Sequence, residues 1–352
     1  MTLLVFYLTN SREVIMSSKK KVYTVLVAMV LGLLSATASA QFAERRIRIS
    51  TGLAEENPVG VGIKKMQEVL TAKSGGKMKL TGYYSGSLGP DNQGVQALRQ
   101  GTQEMVITSS SPVASLVKEL GIFDLPFLFA NEAEADAVFD GPAGDYFAKK
   151  LAEFDLINLA YWENGFRNLT NSKRSVTKLE DMAGLKIRVM QNPIFLDSFK
   201  EWGANPVPMS FGEIFTALEM KAIDGQENPF ITIETSKFYE VQKYISVTKH
   251  AYTPHLILYS KKLWDQLSND EKEALREAVL AAREAQRIES RDVDSKSLAR
   301  LKAAGNVVDV MPEEERTKMF DKIKPVYDKA LASYDKEGPD LVFETLKKVR
   351  GK

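Results

Sequence analysis

Strands and helices alternate in a regular order between residues 46 and 109, and this order restricts the fold more than any other feature of the sequence. Residues 46–51 alternate polar and apolar side chains, which is typical of a strand with Ile47 and Ile49 on one face. The predicted elements are a strand at 46–51, a helix at 62–73, a strand at 78–84, a helix at 93–100 and a strand at 104–109. Such βαβ units build a mainly parallel sheet covered by helices, and these sheets bind ligands at the carboxyl ends of their strands.

A second α/β unit begins near Leu156 and repeats this order. Its predicted elements are strands at 158–162 and 186–190 and helices at 194–202 and 212–221. Ser268 and Glu271 then form a capping box at the start of a helical pattern over 270–303. A helix of this length extends for about 45 Å, longer than one small domain is wide, so it could brace two lobes. Residues 312–349 predict two further amphipathic helices.

The N-terminal segment has the pattern of an export signal. Three lysines at 19–21 precede an apolar stretch at 22–34, and Ala38-Ser39-Ala40 follows as a small-residue cleavage pattern. We expect Met16 to be the true start, residues 1–40 to be removed, and the mature protein to be periplasmic. No cysteine is present for a lipid anchor. Removal of 1–40 takes away four basic residues and one acidic residue, which changes the net charge from +1 to −2, so no nucleic-acid partner is expected.

Enzyme and metal motifs are weak in this sequence. The absence of cysteine excludes thiol nucleophiles and cysteine-ligated metals, and His250 and His255 are five residues apart rather than four. No phosphate-binding loop and no nucleophile elbow occurs. We therefore predict no catalytic residue, no metal and no cofactor. A rival hypothesis is an enzyme acting on a small organic acid, with Asp224 or Glu227 as the base.

Two arginines are candidate ligand-binding residues, because a guanidinium matches a carboxylate in a bidentate way. Arg188 ends an apolar strand, and its alternative interpretation is an ordinary exposed edge arginine. Arg167 also follows a predicted strand, and its alternative is an internal salt bridge. Trp162 and Phe211 lie near these strand ends, where aromatic rings either floor a pocket or belong to the core.

The segment 224–229, Asp-Gly-Gln-Glu-Asn-Pro, allows two interpretations. One is a polar loop from helix to strand, with Gly225 as the helix C-cap. The other is a binding site in which the Asn228 amide donates to a ligand oxygen.

Four motifs in order resemble one known family. They are NGFRNLTNSKR at 164–174, LEDMAGLKIRV at 179–189, GANPVPMSFGEIFTALEMKAIDGQENP at 203–229 and SKFYEVQKY at 236–244. With them the chain resembles the DctP family, the substrate-binding proteins of tripartite ATP-independent periplasmic (TRAP) transporters. The resemblance implies two α/β lobes that close on a ligand. We expect lobe 1 to span about 41–164 and 254–293, and lobe 2 about 165–253 and 294–346.

The resemblance also implies roles for particular residues. Arg188 corresponds to the residue that forms the principal salt bridge with the ligand carboxylate, and Asn228 contacts the same end. Arg167 provides a second polar contact, Phe211 packs against the ligand and Gln191 lines the site. The sialic acid branch has an acidic residue and an arginine around 108–112, whereas this sequence has Ser109 and Pro112, so a smaller acid is expected. From lobe 1 we expect contacts from side chains that vary in the family, among them Ser109 and Glu55.

The predicted function is that of a monomeric receptor that passes a small organic carboxylate to the membrane subunits of a TRAP transporter. A C4-dicarboxylate, a hydroxy acid and a sugar acid such as an aldonate or uronate all remain open as ligands. The alternatives are the enzyme described above and a receptor that presents its ligand to a sensor protein.

Overall fold

The computed structural model describes residues 42–351. The predicted export signal, its cleavage pattern and the start at Met16 lie outside these residues. Within them the strands are β1 (Arg45–Thr51), β2 (Met78–Tyr83), β3 (Met105–Ser109), β4 (Leu156–Asn171), β5 (Lys186–Val189), β6 (Asn205–Pro208), β7 (Gly225–Asn228), β8 (Tyr244–Ser260) and β9 (Val307–Val310).

The α-helices of the same part of the chain pack against the sheet and against one another. They are α1 (Pro58–Ser74), α2 (Asp91–Gln100), α3 (Ser110–Ala114), α4 (Glu132–Phe139), α5 (Pro142–Ala152), α6 (Pro193–Glu201), α7 (Ile214–Glu219), α8 (Phe230–Thr235), α9 (Lys261–Trp264), α10 (Asn269–Ala303), α11 (Glu313–Lys322), α12 (Lys324–Ser333) and α13 (Glu337–Val349). Short 3-10 helices lie at Lys118–Asp124, Leu179–Met182, Phe211–Glu213 and Phe238–Glu240.

The strands form one mixed sheet in the order β2-β1-β3-β8-β4-β7-β5-β6, with β9 beside β8. β1 is parallel to β2 and β3, and β5 is parallel to β6 and β7. The two parallel groups are joined by β4 and β8, which are antiparallel to each other. The sheet flanked by helices confirms the predicted α/β fold class.

The long strands β4 and β8 are the main departure from the predicted elements. β4 has 16 residues and β8 has 17, whereas the sequence pattern predicted only a short strand at 158–162. Their register shifts at three places, between Asn158 and Tyr161, between Glu163 and Gly165, and between Arg167 and Leu169. These irregularities interrupt the two-residue period that a strand normally shows in sequence.

The long helix was predicted almost to the residue. α10 has 35 residues, and its capping box has Ser268 accepting from the Glu271 N–H while Glu271 accepts from the Ser268 N–H. At 1.5 Å per residue it extends for about 52 Å. It packs against α1, β4 and α8, which are elements assigned to both predicted lobes.

The C-terminal segment forms three helices where two were predicted. α11 ends before Ile323, whose ψ of 6° departs from helical geometry, and α12 begins with a proline in its first turn. Pro325 has no N–H and clashes with the preceding turn, so the helix that starts at Glu313 cannot continue through it.

The prediction of a polar loop at 224–229 is wrong. Gly225–Asn228 is the buried strand β7, which lies between β4 and β5. Gly225 is not a C-cap: a Cβ at this position would lie 2.1 Å from the carbonyl oxygen of Thr170 on β4. Glycine is therefore required by the close approach of two strands.

A cluster of aromatic rings anchors the core beside β4. The ring of Phe123 packs edge-on against Phe139 and Phe147, at centroid distances of 4.8 and 4.6 Å. Such pairs contribute about 0.5–1.5 kcal/mol each beyond the burial of apolar area. No helix between residues 42 and 351 is both long and apolar enough to cross a membrane.

Candidate functional site

A cleft opens at the carboxyl ends of β1, β3, β5 and β7. This is where the sequence predicted ligand binding in a parallel α/β sheet. The residues that line it come from segments predicted for both lobes: Thr51, Gly52, Leu53, Asp91, Asn92, Ile107, Thr108, Ser109, Pro112, Asn164, Arg167, Arg188, Met190, Gln191, Met209, Ser210, Phe211, Asn228 and His255.

Six of the eight predicted site residues line this cleft, namely Ser109, Arg167, Arg188, Gln191, Phe211 and Asn228. The other two do not. Glu55 is exposed outside the lining. Trp162 is buried against α1, where a Cβ on Gly62 would lie 2.4 Å from its ring. The geometry gives Trp162 a packing role, and ligand contacts by these two side chains stay a prediction.

Two nitrogens of the Arg188 guanidinium are hydrogen-bonded and the third has no partner. Its Nε and Nη2 both donate to the carbonyl oxygen of Met209, at 2.9 and 2.8 Å. Nη1 is buried without a hydrogen-bond partner. Arg188 is only 3% exposed, so its interpretation as an exposed edge arginine is wrong. Burial lowers the pKa of Arg188 to about 10, while the charge of Glu227 opposes this change. The guanidinium is therefore cationic at neutral pH.

Arg167 is held by a buried internal salt bridge, one of its two predicted interpretations. Its Nε and Nη2 contact the Glu227 carboxylate at 2.5 and 2.8 Å, and Nη2 also donates to the Asn228 amide oxygen at 3.1 Å. His250 contacts the same carboxylate at 3.1 Å. Burial on its own raises the pKa of Glu227, but Arg167 and His250 outweigh burial and lower it to about 2. Arg167 borders the cleft with its charge already balanced.

Asn228 and Gln191 are oriented by polar neighbours. The Asn228 Nδ2 donates to the Gln226 side chain at 2.6 Å, and because an amide carries two N–H groups, one remains for a ligand. The Gln191 amide oxygen accepts from Asn92 at 2.8 Å. Asn92 lies at the start of α2 and Gln191 follows β5, so this bond crosses the cleft.

The β1–β3 side of the cleft holds polar groups beyond the predicted Ser109. The hydroxyls of Thr108 and Ser109 and the Nδ1 of His255 are buried without hydrogen-bond partners. Burial lowers the pKa of His255 to about 3, with the charge of Arg167 acting in the same direction, so the ring is neutral at pH 7. Asp91 was also missed. The strand-end rule could have found it, since it directly follows the turn after the strand predicted at 78–84.

The carboxylates of the enzyme hypothesis lie outside the cleft lining. Asp224 accepts from the Lys186 N–H at 2.9 Å. Glu227 is fully buried in its pair with Arg167. Among the residues that the structure describes, no group of three or more His, Asp or Glu side chains is placed to hold a metal ion.

Comparisons with known proteins converge on one family. The family described as bacterial extracellular solute-binding protein, family 7 (DctP), matches residues 49–333. A solute-binding protein of Verminephrobacter eiseniae is 39% identical over 273 residues, which cover 78% of this chain and 81% of that protein. The 2,3-diketo-L-gulonate-binding periplasmic protein YiaO of Escherichia coli is 34% identical over 301 residues, covering 86% of this chain and 91% of that protein.

The chain is also similar to a solved structure over nearly the whole of that structure. This is the sugar acid binding protein DctPAm from Advenella mimigardefordensis in complex with galactonate, at 46% identity and a TM-score of 0.86. The match covers 88% of this chain and 99% of that one.

Proposed function

Because the chain belongs to family 7 of the bacterial extracellular solute-binding proteins, the DctP family, we propose that it is a periplasmic receptor for a small organic carboxylate. It binds this ligand in the cleft between its lobes and delivers it to the membrane subunits of a TRAP transporter. The observation that carries the proposal is the Nη1 of Arg188, which is buried at the cleft and lacks a partner.

Arg188 anchors the ligand carboxylate in this account. Its other two donors already hold the Met209 carbonyl, so the guanidinium is fixed before the ligand arrives and loses little freedom on binding. A charge-assisted hydrogen bond of this kind contributes about 1.5–3 kcal/mol. Asn228 adds an N–H at the same end, and the ring of Phe211, 5.8 Å from that of Phe238, supplies an apolar wall.

The lobes are proposed to divide near residues 164, 253 and 293. Two observations support the division near 164 and 253. β4 and β8 change register between Glu163 and Gly165, and Gly165 has a φ of 111°, a backbone conformation open mainly to glycine. Hinges of two-lobed proteins absorb rotation at a few such positions. Closure then depends on the ligand's higher affinity for the closed arrangement, in which Asn92 and Gln191 meet across the cleft.

The sequence-based expectation places residues 294–346 in lobe 2. The contacts of the C-terminal helix favour lobe 1 instead. α13 packs on α4 and α5. Arg350, which follows α13, pairs with Glu134 of α4 at 2.6 Å. We therefore propose that α13 moves with lobe 1.

We also propose that the protein binds its ligand without changing it chemically. The described cleft lining has no nucleophile with an adjacent base, since the pKa of His255, lowered to about 3 by burial, makes it a weak base and its Nδ1 has no partner. Glu227, a candidate base, has its pKa lowered to about 2, which makes it a poor proton acceptor at neutral pH. Delivery to the periplasm through a cleaved segment at 1–40 belongs to the same proposal.

Calorimetric titration of the mature chain tests this function. The panel contains succinate, lactate, galactonate and galacturonate, and each acid is recovered afterwards and identified by NMR. We expect at least one acid to bind and to be recovered unchanged. Arg188→Ala should abolish detectable binding, and Arg188→Lys should weaken it strongly because an ammonium cannot replace the planar fork.

A matched control is available in the same lobe. Arg174 also makes two hydrogen bonds to the backbone, to the carbonyl oxygens of Asp181 and Ala183, but lies outside the cleft. Arg174→Lys should leave affinity unchanged. Near-normal affinity in both Arg188 variants would overturn the assignment of the anchor, and conversion of the bound acid would favour the enzyme hypothesis.

A further inference from the structure

The charges that line the cleft are unevenly distributed. Within residues 42–351, the lining contains two guanidiniums and one carboxylate, Arg167, Arg188 and Asp91. Arg167 is neutralised by Glu227, with which it shares two short contacts. Arg188 is thus the cleft cation with an open N–H, and the β1–β3 side of the cleft carries no second cation among the described lining residues.

The β1–β3 side offers neutral hydrogen-bonding groups instead. Thr108, Ser109 and His255 are 2%, 8% and 5% exposed, and each has a buried polar atom without a partner. A hydroxyl both donates and accepts, and a neutral imidazole nitrogen does one or the other. Buried polar groups of this kind cost free energy until a ligand pairs with them. Their chemistry is complementary to the hydroxyl groups of a ligand.

Asp91 adds a negative charge on this side. It is half-buried at the first turn of α2, and a Cβ on Gly52 would lie 3.5 Å from its Oδ1 and 3.4 Å from the Phe211 ring. Asp91 and Phe211 therefore face the same point of the cleft from different lobes. Burial raises the pKa of Asp91, and the charge of Arg188 opposes this rise. An ionised carboxylate accepts hydrogen bonds and cannot donate them.

We propose that Asp91, Thr108, Ser109 and His255 form a hydroxyl-binding subsite that selects a polyhydroxy monocarboxylate and excludes a dicarboxylate. This inference rests on the proposed function, since it takes Arg188 as the anchor of the single carboxylate. Asp91 accepts hydrogen bonds from ligand hydroxyls. A second carboxylate on the ligand would face Asp91 without a compensating cation, and like charges brought together at a binding site are strongly unfavourable.

Two sugar acids with the same carbon skeleton test the subsite. Galactonate has one carboxylate and a terminal hydroxymethyl group, and galactarate has a carboxylate at both ends. We expect the unmodified mature chain to bind galactonate about 100-fold more tightly than galactarate, and succinate more weakly than galactonate. Equal or tighter binding of galactarate or succinate would overturn the inference, and this comparison needs no variant.

Asp91→Asn removes the charge of the Asp91 side chain and keeps its shape. We expect the variant to bind galactonate at least about 10-fold more weakly and to reduce the galactonate preference below about 10-fold. Asp270→Asn is the control, because Asp270 is also an acidic residue in the first turn of a helix but is exposed and outside the cleft. It should leave the preference unchanged. An unchanged preference in Asp91→Asn, with a normal melting temperature, would refute the role of Asp91.

Different results would refute the hydroxyl-binding subsite and the receptor function. Binding of succinate but not galactonate, abolished by Arg188→Ala, would leave the receptor intact and refute the subsite. Binding of any acid that survives Arg188→Ala would refute the anchor on which both depend.

Discussion

Replacement of Glu227 by Gln tests whether the buried network beneath the cleft stabilises the protein. Arg167 and Glu227 both have 0% exposed side chains and are 2.5 Å apart. Gln removes the charge of one partner and leaves the Arg167 guanidinium buried without a counter-charge. Breaking a buried pair in this way costs about 3–5 kcal/mol. The lowering of the Glu227 pKa from 4.5 to about 2 corresponds to about 3 kcal/mol, which agrees with that range.

The effect should be large in thermal unfolding. Roughly 310 residues at about 2.1 cal/mol/K each give an unfolding entropy of about 0.65 kcal/mol/K, so the melting temperature at pH 7 should fall by about 5–8 °C. Glu314→Gln is the control, since Glu314 makes its salt bridge with Lys318 while 80% exposed. Its melting temperature should change by about 1 °C or less.

The pH dependence gives a second, independent readout. Because the folded pKa of Glu227 lies below its unfolded value, the stability that it contributes is present above about pH 4.5 and is lost as the pH falls towards 2. The difference in unfolding free energy between the unmodified protein and Glu227→Gln should therefore shrink below pH 4.5. A loss under about 1 kcal/mol at pH 7, or a difference that does not change with pH, would refute the reasoning.

Two further predictions concern the sheet and the cleft. Gly225→Ala should destabilise the protein by about 3 kcal/mol or more in chemical denaturation, because its Cβ would meet the Thr170 carbonyl at 2.1 Å. Gly212→Ala, where no atom lies within 4 Å, should have little effect, and equal effects of both changes would contradict the packing argument. Asn92→Ala removes the bond to Gln191 across the cleft and should speed ligand release by up to about 10-fold in stopped-flow measurements. An unchanged release rate would show that this bond does not hold the closed form.

The sequence predicted those elements whose pattern is local. The first βαβ units and α10 have clear periodicity and caps, and the structure places them within a few residues of the predicted bounds. β8 was missed although its sequence is rich in Val, Ile, Thr and Tyr, which favour a strand. The reason is Pro254 within it, because proline argues against a central strand. Pro254 lies opposite Glu163, beside a shift in register, where a missing N–H is tolerated.

Site residues could be predicted only where a single segment of the sequence contains a recognisable motif. Arg188, Asn228 and Phe211 were identified through the motifs around them, and the structure brings all three to the cleft. His255 lies on β8, far along the chain from Ser109, and the two residues come opposite each other only when β3 pairs with β8. No local pattern marks His255, because its role depends on what the fold places opposite it.

A crystal structure of the mature chain with its bound organic acid tests the central claim most directly. The account predicts a ligand carboxylate oxygen about 2.7–3.2 Å from Nη1 of Arg188, with the remaining edge of the guanidinium still on the Met209 carbonyl. A carboxylate held elsewhere in the cleft, with a hydroxyl or water on Nη1, would contradict it.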